Sequence, residues 1–114
     1  MTPDRSFPKE LRILRSSDFR RVQRRGRRVR TRHLLVVYLR SRRKAPRFGL
    51  TVSRKVGNAV TRNRVKRWLR EAVRHHKAEL DGVFDVVIIP NPKAPYAGYA
   101  TLEAEVIDAL GRLR

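Results

Sequence analysis

Hydrophobic and polar positions change period most sharply between residues 47 and 77. From 47 to 53 they alternate. Phe48, Leu50 and Val52 fall on one side of an extended chain and Gly49, Thr51 and Ser53 on the other, which predicts a strand. Gly57-Asn58 then supplies a turn, and beyond it the apolar positions recur at helical spacing. With successive side chains turning by about 100° around a helix axis, Val65, Trp68, Leu69, Ala72 and His76 gather on one side. Asn63, Arg67, Arg70 and Arg74 gather on the other, with Lys66 and Lys77 beside them. This helix is expected to bury one face and to present a ridge of five cations and an amide on the other. Glu71 stands at the edge of the ridge, in reach of Arg67 or Arg74.

Residues 1–15 hold two prolines and no sustained period, and read as an extended, partly mobile arm. Ser17-Asp18 offers a helix cap with an acid in the first turn, and Gly26 a stop. A short helix over 17–25 follows, with Phe19, Val22 and Gln23 opposed to Arg20, Arg21, Arg24 and Arg25. Phe19 and Val22 are either core residues or one wall of a groove rimmed by arginine. Residues 27–32, four of them arginine, read as a basic connector suited to general phosphate contacts. The next stretch, 33–40, reads as a strand with Leu34, Val36 and Tyr38 on one face and Leu35, Val37 and Leu39 on the other. Both faces are apolar, so both are covered or one binds.

Residues 41–46 form a basic hairpin loop in this reading, and 47–53 is the partner strand. Its face of Gly49, Thr51 and Ser53 either admits a nucleotide chain close to the backbone or is an outer sheet face. A third strand over 83–89 ends at Pro90, and Pro92 and Pro95 keep the following loop irregular. Tyr99, Leu102, Val106, Ala109, Leu110 and Leu113 predict a C-terminal helix that carries Glu103, Glu105 and Asp108 outward. The sum is one α+β domain over 1–114: a small mixed sheet packed by a basic central helix and a C-terminal helix, with a short N-terminal helix.

Charge turns this pattern into a statement about partners. The chain of 114 residues has a formal net charge of +19 and no cysteine. Residues 1–77 carry 26 Lys/Arg against 4 acids, whereas 78–114 carry 3 against 6, so the basic surface belongs to the first two-thirds. Like charges at i,i+4 repel, and a polyanion relieves that repulsion. Membrane lipid is a poor match. The longest apolar runs, 34–39 and 86–90, are far too short to span a bilayer, and Trp68 and Leu69 are needed for the core. The opening Met-Thr-Pro-Asp-Arg is no signal peptide, and the lack of cysteine fits a reducing compartment, so a cytoplasmic location is expected. Nucleic acid is the favoured partner.

Catalytic chemistry is missing from the sequence. Metal-dependent hydrolysis needs clustered carboxylates, and acid–base hydrolysis a histidine with a partner. Glu105 and Asp108 share a face without a histidine or third acid placed to join them. His75 and His76 diverge, being adjacent, and His33 stands alone. No phosphate-binding Gly-Lys-Ser/Thr loop and no zinc spacing occurs, and no dinucleotide cofactor is expected. No residue is assigned as catalytic or metal-ligating.

One stretch is specific. Ser53-Arg54-Lys55-Val56-Gly57-Asn58-Ala59-Val60, followed by Arg62-Asn63-Arg64-Val65-Lys66-Arg67 and Arg70-Glu71, resembles the Arg-Asn-Arg signature of the bacterial ribonuclease P protein subunit. The likeness extends from Asp18-Phe19-Arg20-Arg21-Val22 and Gly26 to Asp85-Val86-Val87-Ile88-Ile89. It implies a fold of the ribosomal-protein-S5-domain-2-like group with a left-handed crossover around the basic helix. It also implies two partners, a catalytic RNA subunit and precursor tRNA, whose 5′ leader the holoenzyme removes. The protein alone would bind no cofactor; magnesium ions, held mainly by the RNA, would carry the hydrolysis. By the resemblance Arg54, Lys55, Asn58, Arg62, Asn63, Arg64, Lys66, Arg67 and Arg70 face the catalytic RNA, and Arg74 continues their ridge. The leader groove falls on Phe19, Gln23, Leu35, Val37, Thr51 and Ser53. Gln23 replaces an aromatic frequent in the family and would offer a base edge hydrogen bonds in place of stacking. Two rival readings share the charge but not this motif: a ribosomal-type structural RNA-binding protein and a DNA-compacting protein.

Overall fold

The structure, a computed structural model, describes residues 11–114. In chain order the elements are α1 (Ser16–Arg25), β1 (Arg27–Arg30), β2 (Leu34–Arg40), β3 (Arg47–Leu50), α2 (Ala59–His76), β4 (Phe84–Pro90), α3 (Ala94–Ala97) and α4 (Tyr99–Arg112). Single turns of 3-10 helix stand at Arg54–Val56 and Lys77–Glu79. Of the expected N-terminal arm, residues 1–10 lie outside the described residues. Residues 11–15 follow β3: the Ile13 amide donates to the Phe48 carbonyl at 2.9 Å, and Ile13 is buried.

Strand order is β1-β2-β4-β3. β1 pairs with β2 and β2 with β4 antiparallel, the latter in register from Leu34 opposite Pro90 to Arg40 opposite Phe84. β3 runs parallel to β4, from Arg47 opposite Asp85 to Leu50 opposite Ile88, and α2 makes the crossover that a parallel neighbour requires. Two expectations fail here. Residues 27–30 are a strand, since Val29 is buried while its arginine neighbours face outward. The 47–53 strand is also not the hairpin partner of β2, because β4 lies between them. β4 is apolar on both faces and satisfies two neighbours, whereas β3 is short and takes the edge. It ends at Leu50, although the Thr51 amide still donates to Ile88 at 3.0 Å.

The two faces of the sheet are covered differently. Leu34, Val36, Tyr38, Phe48, Phe84, Val86 and Ile88 face α2 and α4 and form the main core with Val65, Leu69, Val73, Leu102, Val106 and Leu110. Leu69 is fully buried, which is worth about 1.5–3 kcal/mol. Among the described residues the opposite face carries α1 and the segment at 11–15, over a small second core of Ile13, Val22, Val37 and Val87. Gly26 ends α1 where the helix runs into the sheet. A Cβ there would sit 2.5 Å from the Val22 carbonyl and 2.8 Å from that of Tyr38. The predicted Ser17-Asp18 cap is not used: the N-cap is Arg15, without a side-chain bond.

Asp18 instead joins a buried ionic network that pins α1 to the sheet. Arg47 Nε donates to Asp85 Oδ1 at 3.0 Å and Nη2 to Oδ2 at 2.8 Å, while Nη1 reaches Asp18 at 3.4 Å. Arg21, from α1, adds a 3.1 Å bond to Asp85. Arg47 is 7% exposed and Asp85 3%. The hydrogen bond to Asp85 raises the Arg47 pKa above its ordinary value despite burial, so the pair stays charged.

Candidate nucleic-acid interface

The start of α2 is built by three short-range devices. Ser53 Oγ accepts from the Lys55 amide and opens the 3-10 turn. Gly57 then adopts φ 150°, a conformation that side chains strongly disfavour, and a Cβ there would meet Thr61 at 2.9 Å. Asn58 caps the helix, its Oδ1 accepting from the Thr61 amide at 2.9 Å. No acid stands in the first turn, so the positive end of the helix dipole adds to the local cations.

Along α2, Asn63, Arg64, Arg67 and Arg70 are exposed and Lys66 is half-buried. None of these four cations forms an ion pair among the described residues. The apolar side is Val65, Leu69, Ala72 and Val73, all buried. Val73 was missed in the sequence reading, and the expected Trp68 and His76 are only half-buried. Trp68 flanks the core with the Arg64 guanidinium 5.3 Å above its ring. Arg62 projects from the side of Leu69 and Val73; its Nε is buried and has no hydrogen-bond partner among the described residues. Arg74 is half-buried and bonded to Glu71, which also receives His75 at 3.1 Å. The hydrogen bond from Arg74 is the main cause that lowers the Glu71 pKa. The ridge thus ends with a charge already partnered. Arg54 and Lys55 are exposed on the preceding turn.

The groove residues divide. Phe19, Gln23, Leu35 and Thr51 are half-buried, and Ser53 is exposed at its turn. Val37 is not available. It is fully buried beneath α1 with Val22 and Val87, because alternation puts it under the helix that Gly26 draws close. Nor does Gly49 leave an open floor, since the Phe19 ring occupies its side-chain space, 2.5 Å from where a Cβ would stand. What remains partly open is the next row along the sheet, half-buried Leu35 and Ile89 with Thr51 beyond. Arg30 stands opposite Leu35 and Arg28 opposite Val37, and both are exposed. Ile89, Arg28 and Arg30 were not placed in the groove from sequence. The signal was the period-two pattern through residues 27–30, broken up by the arginines.

Of the α4 acids, Asp108 points outward as expected, whereas Glu103 and Glu105 are half-buried and bonded. Glu105 accepts from His33 Nδ1 at 2.6 Å and from the His33 amide at 2.8 Å, and also bonds the Thr31 hydroxyl. Burial pushes the Glu105 pKa up, but these bonds outweigh it and hold the carboxyl below its ordinary value. A histidine does therefore join Glu105, supplied by the β1–β2 turn. Glu103 links α4 to α2 through His76 at 3.0 Å and also accepts from the Tyr99 hydroxyl of its own helix at 3.1 Å. Among the described residues no three His, Asp or Glu side chains converge on a metal-binding position. None of the helices there is long and apolar enough to cross a membrane.

The family model for Ribonuclease P matches residues 7–114. The chain belongs to the ribonuclease P protein family. It is 45% identical over 113 residues to the ribonuclease P protein component of Desulfovibrio desulfuricans, covering 94% of this chain and 85% of that one. With the same component from Acidothermus cellulolyticus the identity is 44%, over 94% and 91% of the two chains. Two solved structures are similar in fold at 28% identity. The RNase P protein from Thermotoga maritima gives a TM-score of 0.83 over 90% of this chain and 97% of that one. The one from Staphylococcus aureus gives 0.78 over 90% and 95%. Membership of the ribonuclease P protein family implies an RNA partner; of the Arg-Asn-Arg segment near the start of α2, Asn63 and Arg64 are exposed and Arg62 is half-buried.

Proposed function

We propose that the chain acts as the protein subunit of ribonuclease P: it binds the catalytic RNA and the 5′ leader of precursor tRNA and assists removal of that leader. The observation that carries this reading is the ridge of Lys66, Arg67 and Arg70, without ion pairs among the described residues, beside exposed Arg54, Lys55 and Arg64, in a chain whose family is ribonuclease P. Cations without acids beside them are suited to a folded phosphate backbone. The leader would lie along Leu35, Ile89 and Thr51, between the phosphate-seeking Arg28 and Arg30 and the half-buried edge of Phe19 and Gln23. That row offers apolar contact and few charges, which suits unstacked bases.

The protein side chains supply no hydrolytic machinery in this reading; magnesium ions held by the RNA supply it, and the protein binds, orients and offsets charge. The test is addition of the purified chain to catalytic RNA at low magnesium. The rate of 5′ cleavage of precursor tRNA should rise several-fold. Tight RNA binding without any stimulation would favour a purely structural RNA-binding role and refute the proposal.

A further inference from the structure

A cavity of about 210 Å³ lies off the leader row, on the far side of Phe19, between the segment at 12–14, β3 and α2. Its walls are Ile13, Leu14, Phe19, Phe48, Leu50 and Val73, with Gly49 at the back. Three cations line it as well, Arg12, Lys66 and Arg70, and none of them is paired with an acid among the described residues. Leu14 is 56% exposed, so part of this apolar wall faces solvent.

We infer that this cavity receives an unstacked nucleobase of the catalytic RNA, with the flanking phosphates held by Arg12, Lys66 and Arg70. The inference rests on the RNA-binding reading above and adds an apolar contact to what is otherwise a phosphate-contacting helix. Size supports it: a cavity of about 150 Å³ takes a benzene ring, so this one has room for fused rings. Chemistry supports it too. A bare phosphate gains nothing from six apolar side chains, and an uncharged apolar ligand gains nothing from three cations. A nucleotide uses both, with its base desolvated against aliphatic and aromatic carbon and its phosphate left at the wet mouth. Lys66 and Arg70, one turn apart on α2, are positioned by the fold to serve the ridge and the cavity together.

The test uses the full chain with labelled methyl groups, titrated with adenosine 5′-monophosphate and, separately, with inorganic phosphate. The nucleotide should shift the Ile13, Leu14, Leu50 and Val73 methyl signals saturably, and phosphate alone should leave them in place. Equal responses to both, or none, overturn the inference. Leu14→Glu should abolish the response and weaken binding to the catalytic RNA at least tenfold. Ser16→Glu, with the same added charge outside the cavity, should do neither. Equal loss in both variants would mean only general electrostatics and would overturn the inference. Failure of the unaltered chain to bind the RNA would instead refute the reading on which the inference rests.

Discussion

Asp85→Ala tests whether the groove exists because α1 is held by charge. In the native fold Asp85 accepts from Arg47 through both of its oxygens, at 3.0 and 2.8 Å, and from Arg21 at 3.1 Å. Removal of the carboxylate leaves Arg47, 7% exposed, with Asp18 at 3.4 Å as its remaining carboxylate partner. With only that long contact left, the cost should approach that of a fully uncompensated buried charge, about 3–5 kcal/mol. For a domain of this size each kcal/mol moves Tm by about 3–6 °C, so thermal unfolding should fall by roughly 9–30 °C. Arg21→Ala is the internal control. Its side chain is 45% exposed, so its loss should cost at most about 1 kcal/mol. Replacing Arg47 and Asp85 together by Met and Leu should recover most of the lost stability, because a filled apolar pair removes the orphaned charge. Denaturant unfolding monitored by Trp68 fluorescence gives all four values. A cost below about 1 kcal/mol for Asp85→Ala would refute the argument, as would a double variant no more stable than the single one.

Other perturbations separate the binding face from the core. Arg67→Ala should leave the melt unchanged and weaken binding to catalytic RNA, lowering the slope of log affinity against log salt by about 1; an unchanged slope would remove Arg67 from the phosphate contacts. Trp68→Ala should cost about 2 kcal/mol, below the roughly 3–5 kcal/mol of a fully buried aromatic, because the ring is only half-buried. Glu105 has a folded pKa lowered from 4.5. Its stabilising contribution is therefore complete above that value and is lost as pH falls through the lower folded one. Glu105→Gln should accordingly flatten the acid limb of a stability–pH profile, and an unchanged limb would show that the His33 contact contributes nothing.

The face assignments of α2 were legible in the sequence because a helix sorts its side chains by local spacing alone. Val65 and Leu69, four residues apart, share the buried side, and Arg67 and Arg70, three apart, share the exposed one. The cap at Asn58 and the turn at Gly57 are equally local, and the excess of positive charge is a sum that no fold alters. Strand order was not legible. Nothing near residues 40–47 states that β4, some forty residues on, will insert between β2 and β3. Pairing is a competition among long-range partners, won here by the strand apolar on both faces. The groove depended on that outcome. Only once α1 is packed does Val37 disappear beneath it and Phe19 fill the space over Gly49, while Leu35 and Ile89 stay within reach of solvent. The pairing of Arg47 with Asp85, and of His33 with Glu105, belongs to the same class. Polar groups far apart in the chain become partners only where folding brings them together and removes the water that would otherwise compete for them.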